Sequence, residues 1–177
     1  MSGEMAELLS HKVRVGTIGP EPVARRIEAS ATERAALARA FDLPAIAALS
    51  GDFRLWAAPA HRGEFEAELK LHARVTRICV VSLDRFETVV AETARLRFVP
   101  AASVREDAAV MEFSGEGEEP DEIPYGNDLI DLGAALAEQL ALALTPYPRK
   151  PGATLPEAAA APAVNPFTAL PRRNRPQ

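Results

Sequence analysis

Cysteine is almost absent from this chain, since Cys79 is the only one among 177 residues. A lone thiol can neither close an intrachain disulfide nor supply the several thiolates of a zinc site. Histidine is scarce as well, and His11, His61 and His72 are too far apart in sequence to form a local metal-binding pair. We therefore expect a protein of a reducing compartment that holds no metal or other cofactor.

Long apolar runs are missing too. The longest, such as 78–81 and 140–144, are far shorter than the roughly 20 residues that a membrane-spanning helix needs. The first nine residues carry two acids and neither Lys nor Arg, which is the wrong start for a secretory signal. These absences predict a cytoplasmic protein without a membrane partner.

Motifs for nucleotide binding and catalysis are absent as well. No glycine-rich phosphate loop occurs, and Gly115-Glu116-Gly117 lies among acids that would repel a phosphate. A hydrolase or nuclease that uses Asp128 or Asp131 is an alternative, but a carboxylate near the start of a helix has a simpler structural role. We expect no catalytic residue, no enzyme activity and no small-molecule substrate.

Charge is unevenly distributed along the chain. Segment 106–122 holds eight acids and no base, so its charge is −8, whereas the whole chain carries −5 and the remainder therefore +3. Because this segment has few large apolar groups, we expect a mobile acidic loop that extends to Pro124. The opposite balance holds for 70–105, which has seven bases and three acids.

Residue patterns predict a sheet in the centre of the chain. Apolar and polar residues alternate for twelve residues over 65–76, and further strands are expected at 53–57 and 86–100. Two more strands, 11–18 and 23–29, should form a hairpin, because Gly and Pro lie between them.

Two main helices should pack on this sheet. The capping-box sequence Ser30-Ala31-Thr32-Glu33 predicts a helix near 31–41, and a short helical stretch should follow Pro44 at 45–49. A leucine stripe predicts a helix near 129–144, capped by Asp128. The tail 149–177 is rich in Pro and Ala, which favours disorder, so the globular domain should occupy 1–148.

One strand face could contact a nucleic acid. Alternation would place Lys70, His72 and Arg74 side by side on one face, where their positive charges could contact the phosphates of a nucleic acid. Glu66 and Glu68 lie on the same face, so an ordinary solvated surface fits the pattern equally well. The candidate residues for contact with RNA or another partner are Lys70, His72, Arg74, Arg77, Arg95 and Arg97. Aromatic residues do not alternate with these bases, so stacking of RNA bases is not expected.

Three segments resemble the YceD family of large-ribosomal-RNA accumulation proteins. They are 77–84 (RICVVSLD), 96–100 (LRFVP) and 130–149, where IDLG is followed by EQLALAL and PYPR. Segment 165–170 (NPFTAL) is similar to the alphaproteobacterial branch of that family. The positions that carry the family motifs are Cys79, Ser82, Asp131, Leu132 and Gly133. Many members have Cys-x-x-Cys where this chain has Cys79 and Ser82, so the resemblance implies no paired thiols for metal or redox chemistry here.

The resemblance implies a bacterial, cytoplasmic ribosome-biogenesis factor that supports processing or accumulation of large-subunit ribosomal RNA. Its partners would be precursor large-subunit rRNA, a ribosomal protein, or both. We predict an α+β fold with a curved antiparallel sheet, two main packing helices and a disordered C-terminal tail. The sequence does not decide whether this sheet closes like a barrel. The alternative is a protein-only adaptor that chaperones a basic ribosomal protein through the acidic loop 106–122.

Overall fold

The computed structural model describes residues 8–59, 63–103 and 120–154. In these ranges the strands are β1 (Lys12–Arg14), β2 (Val23–Glu28), β3 (Ala45–Ala57), β4 (Phe65–Ile78), β5 (Arg85–Pro100), β6 (Asp121–Tyr125) and β7 (Leu129–Asp131). The helices are α1 (Ala31–Ala40) and α2 (Leu132–Ala143), with short 3-10 turns at Val15–Thr17 and Ala101–Ser103. The predicted α+β class is confirmed.

The main sheet has the strand order β2-β3-β4-β5-β6. Neighbours are antiparallel except for β5 and β6, which run parallel. The long alternation predicted over 65–76 is confirmed by β4, in which every second side chain from Phe65 to Val75 is buried. The described strands leave the sheet open, with β2 and β6 at its edges, so it does not close into a barrel.

The core lies between one face of this sheet, called here the inner face, and the two helices. Leu69, Leu71 and Val75 of β4 belong to one buried cluster with Leu37 of α1 and Leu136 of α2. Gly51 of β3 lets α2 approach closely, because a Cβ atom there would lie 2.8 Å from Leu136 Cδ1. Both helices therefore cover the inner face, and no described helix covers the opposite, outer face.

The capping box that predicted α1 is present. Ser30 Oγ accepts a hydrogen bond from the Glu33 amide at 3.3 Å, and Glu33 Oε2 accepts one from the Ser30 amide at 2.7 Å. These bonds favour the ionised carboxylate and hold the pKa of Glu33 below its usual value.

The predicted hairpin of 11–18 and 23–29 is wrong. β1 pairs instead with the distant β7, and β2 pairs with β3. The turn residues between β1 and β2 mark a change of sheet, which local sequence cannot distinguish from a hairpin. β1 and β7 form a two-stranded sheet of their own.

The helical stretch predicted at 45–49 is also wrong, because these residues begin β3. A register shift lies between Ile46 and Ala48, so that Ile46 and Leu49 are both buried although they are three positions apart. A β-bulge inserts one residue and breaks the period of two, which makes the pattern look helical.

The last part of the predicted acidic loop is a strand. Asp121–Tyr125 forms β6 beside β5, with Ile123 buried, so burial at a sheet edge outweighs the local charge. The rest of that segment, up to 119, lies outside the described residues. The prediction that Asp128 caps the second helix is wrong as well, since α2 begins at Leu132 and its cap is Asp131. Asp128 lies in a turn at a φ of 56°.

Candidate nucleic-acid interface

The middle of the outer face carries a row of three basic side chains, Lys70, His72 and Arg74. All three are exposed on β4. Apart from Asp52, the outer-face residues opposite them on β3 and β5 are short or apolar: Ala48, Ser50, Val89, Ala91 and Thr93. The three side chains therefore project beyond their shorter neighbours, so a large ligand can contact them.

Three acids of this face are paired with arginines of neighbouring strands. Arg26 lies 3.0 Å from Asp52, Arg54 lies 3.7 Å from Glu68, and Arg97 lies 3.5 Å from Glu122. Glu28 and Glu87, opposite Ser50 and Thr76, lie on the same face and form no ion pair with a described arginine. No described carboxylate lies within ion-pair distance of Lys70, Arg74 or Arg95. The sequence left this face undecided between phosphate contact and an ordinary solvated surface. In the structure Lys70 and Arg74 are exposed and form no ion pair within the described ranges, although Asp52 lies opposite Lys70.

Arg77 does not share the outer face with the row. It follows Val75 on the inner side and is only 9% exposed. Its Nη1 donates to Thr145 Oγ1 at 2.9 Å and its Nη2 donates to the Thr145 carbonyl, which ties the end of β4 to the segment after α2. Burial lowers the pKa of its guanidinium, and its Nε is buried without a hydrogen-bond partner in the described structure. The inclusion of Arg77 among the contact residues is therefore corrected to a structural role.

Arg95 and Arg97 lie on the outer face of β5, opposite Glu68 and Glu66 of β4. They flank Leu96, which is buried on the inner face. Four residues separate Glu66 from Lys70 along β4, which corresponds to about 13 Å in a strand. The two arginines thus lie toward one end of the same face, where acids offset their charge.

Trp56 is not among the site residues predicted from the sequence. Trp56, the only tryptophan in the chain, lies opposite Glu66, and its Nε1 donates to Glu66 Oε2 at 3.1 Å. It lines an outer-face pocket of about 430 Å³ with Glu66, Glu68, Arg95, Arg97 and Pro120. Its position in the sequence could have indicated a site, because it lies two residues after Arg54 on the predicted solvent-exposed face of a strand, where large aromatic side chains are unusual.

Cys79 organises the loop between β4 and β5. Its Sγ has no accessible surface and accepts backbone hydrogen bonds from Val81, Ser82 and Lys150 at 3.3 to 3.4 Å. Hydrogen bonds from Ser82 and Lys150 lower the pKa of the thiol to about 6. Lys150 also lies 3.2 Å from Asp84, where it lowers the pKa of that carboxyl together with Ser82. Residues that contact this loop therefore extend to Lys150, two residues beyond the predicted domain end at 148. Residues 155–177 of the predicted disordered tail lie outside the described residues.

Asp131 and Gly133 join the N-terminus of α2 to the first described residues. Asp131 Oδ1 accepts from the amides of His11, Gly133 and Ala134, and its Oδ2 accepts from Ser10 Oγ at 2.6 Å. A Cβ atom on Gly133 would lie 2.7 Å from the Leu9 carbonyl oxygen. Leu132, between them, is buried. These three motif positions hold the scaffold together and do not border the basic row.

The described residues form neither a metal-binding cluster nor a membrane-spanning helix. Within the described ranges, no group of three or more His, Cys, Asp or Glu side chains is arranged to hold a metal ion. None of the helices in those ranges has the length and apolar character needed to traverse a bilayer.

Comparison with known proteins identifies a family. A family model described as "Large ribosomal RNA subunit accumulation protein YceD" matches residues 67–167, which is more than half of the chain. This region begins in β4 and includes the basic row, the Cys79 loop and α2. No curated protein and no solved structure matches.

Proposed function

Because the chain belongs to the YceD family, we propose that it supports the accumulation of large-subunit ribosomal RNA in the bacterial cytoplasm by binding precursor RNA. In this proposal the outer face of the sheet holds the sugar-phosphate backbone, and the protein itself makes or breaks no bond. The family description supports the link to large-subunit rRNA, and the exposed side chains of Lys70 and Arg74, which form no ion pair in the described ranges, support direct contact with RNA.

The single observation that carries the proposal is the geometry of Lys70, His72 and Arg74. Alternate residues of a strand are about 6.6 Å apart and point to the same side, so the three hydrogen-bond donors form a line along β4. Phosphates along one RNA strand also form a line of negative charges, and each contact releases condensed counterions. Binding should therefore be insensitive to sequence and weaken with salt.

The proposal is tested with the double variant Lys70→Ala, Arg74→Ala and a fragment of large-subunit rRNA. Affinity is measured by filter binding over a series of salt concentrations. We expect uniformly weaker binding and a slope of log affinity against log salt that is smaller by about two, one unit for each lost phosphate contact.

The matched control is Lys12→Ala, Arg39→Ala, which removes the same charge from exposed positions outside the face. It should bind like the parent. If the Lys70, Arg74 variant also binds with the parent's affinity and salt slope, the outer face is not the RNA contact.

The second candidate is the adaptor that chaperones a basic ribosomal protein. The charge of −8 over 106–122 favours it. However, the two acids of this segment that the structure describes are already engaged, Asp121 by Gln139 and Glu122 by Arg97. Crosslinking in cells, with sequencing of attached RNA and identification of attached proteins, distinguishes the two functions.

A further inference from the structure

We propose that the pocket beside Trp56 binds a nucleobase, so that an unpaired base of the RNA stacks on the indole ring while its strand follows the basic row. This inference rests on the proposed function and makes it more specific. It assigns single-stranded RNA, with at least one accessible base, as the ligand of the outer face. It departs from the expectation from sequence that base stacking plays no part.

The location of the pocket supports this assignment. The sheet register places Trp56, Glu66 and Arg97 in one row across β3, β4 and β5, on the same face as Lys70 and Arg74. The pocket volume of about 430 Å³ falls in the range of small-molecule sites. From Glu66 to Arg74 the strand extends eight residues, about 26 Å, which is long enough to hold several nucleotides.

The charges of the pocket suit a base better than a phosphate. Two carboxylates, Glu66 and Glu68, line it with two guanidinium groups, Arg95 and Arg97, so the lining is close to neutral. A base edge presents both amino donors and carbonyl or ring-nitrogen acceptors, which match carboxylates and guanidinium groups respectively. A phosphate would be repelled by the two acids. The pocket and the basic row thus divide recognition between base and backbone.

Trp56 is held in position for stacking. Its indole N–H is already bonded to Glu66, which restrains the ring, and the residue remains partly exposed. Stacking on aromatic side chains is the usual way in which proteins hold splayed-out RNA bases, and it needs only one open ring face. A base inside a continuous duplex cannot reach the ring without being unpaired.

The experiment uses the intrinsic fluorescence of the full-length protein, because all tryptophan emission comes from Trp56. The protein is titrated with an unstructured oligoribonucleotide and, separately, with an RNA duplex of equal length. We expect the single strand to quench the emission and the duplex to leave it unchanged. Trp56→Ala should weaken single-strand binding about tenfold or more, and Trp56→Phe should retain most of the affinity.

The control variant is Tyr147→Ala, which removes an exposed aromatic ring outside this pocket and should change neither affinity nor quenching. Urea unfolding checks that each variant is folded. If single-stranded RNA binds without quenching, and Trp56→Ala binds it as tightly as the parent, the base site is overturned while the RNA-binding function stands. If Trp56→Phe loses as much affinity as Trp56→Ala, stacking is overturned. If the folded parent binds no RNA, the proposed function and the base site both fail.

Discussion

Several residues with chemical potential are bound into the scaffold at the scale of single side chains. Asp131, the carboxylate considered for catalysis, accepts four hydrogen bonds from the amides of three residues and one hydroxyl. Cys79 Sγ is enclosed by three backbone amides. Hydrogen bonds to both groups are made inside the protein, so their first effect is on stability and loop geometry.

Replacing Asp131 should reduce stability and leave the outer face intact. Asp131→Ala removes the helix cap and the acceptor for His11 and Ser10, so we expect the free energy of unfolding to fall by about 2 kcal/mol. Asp131→Asn keeps one carbonyl oxygen and should lose less. Urea unfolding measures the effect. If Asp131→Asn abolished rRNA processing at unchanged stability, the enzyme alternative would regain support.

Cys79 should make stability depend on pH. Its folded pKa of about 6 lies below the unfolded value of about 8.5, so the unfolded state binds more protons between these values. The resulting stabilisation is complete above about pH 8.5 and is lost as the pH falls through about 6. Cys79→Ser cannot form a thiolate and should lack this dependence.

The urea midpoints of the parent and Cys79→Ser are compared between about pH 5.5 and about pH 9, a range that includes the folded and the unfolded pKa of Cys79. All other titrating groups are shared, so the difference between the two curves isolates Cys79. Parallel curves would mean that the thiol stays protonated in the folded protein.

The element that organises the molecule is β4, because the parity of its residues decides their roles. Even-numbered residues from Lys70 to Arg74 form the basic row, whereas the odd-numbered residues from Phe65 to Arg77 point into the core. Arg77 therefore joins β4 to the end of α2, although it is only three residues from Arg74 in sequence. The basic residues of one short segment thus serve two different purposes.

Arg77→Ala should act through stability alone. Its loss leaves the Thr145 acceptors without the guanidinium, so we expect the free energy of unfolding to fall by about 2 to 3 kcal/mol. The salt slope of RNA binding should stay at the parent's value when measured where the variant is folded. Lys70→Ala, Arg74→Ala should show the reverse, with an unchanged urea midpoint and a reduced slope. A reduced slope for Arg77→Ala would place this residue at the RNA after all.

The contact between α2 and the segment before β1 should tolerate no side chain at position 133. A Cβ on Gly133 would meet backbone atoms of Leu9 and His11, which cannot move aside as a flexible side chain can. We expect Gly133→Ala to cost about 3 kcal/mol of unfolding free energy, or to prevent folding. Gly19→Ala is the control, because a Cβ there has nothing within 4 Å, and its urea midpoint should match the parent's. Equal midpoints for both variants would contradict the close approach.

At the scale of the whole molecule, two opposite charge distributions share one chain. The segment 106–122 carries −8, and the remainder carries +3. Electrostatic interactions between charges extend over about 10 Å at 0.1 M salt. We therefore expect the negative charge of the acidic segment to reduce the attraction between the basic face and RNA.

Replacing Glu116, Glu118 and Glu119 by Gln should therefore strengthen RNA binding. We expect a higher affinity at low salt that converges with the parent's at high salt, as filter binding can measure. If the triple variant instead loses a basic ribosomal protein in pull-down experiments while its RNA affinity is unchanged, the adaptor function is supported.

The sequence by itself determined the features that depend on neighbouring residues. The alternation over 65–76, the capping box at Ser30 and the leucine stripe of α2 each record a local period or a local hydrogen bond, and all three elements are present. The same alternation placed Lys70, His72 and Arg74 on one face. Membership of the family was also readable from the motifs around Cys79 and Asp131.

Tertiary structure alone decided which distant segments meet. The pairing of β1 with β7, the bulge in β3 and the strand formed by the last acids of 106–122 all arise from burial against other elements. Only the register across three strands brings Trp56 beside Arg95 and Arg97, and only packing separates Arg77 from the basic row. Local sequence encodes which way a side chain points along its strand, whereas its neighbours are set by the free energy of burying the whole core.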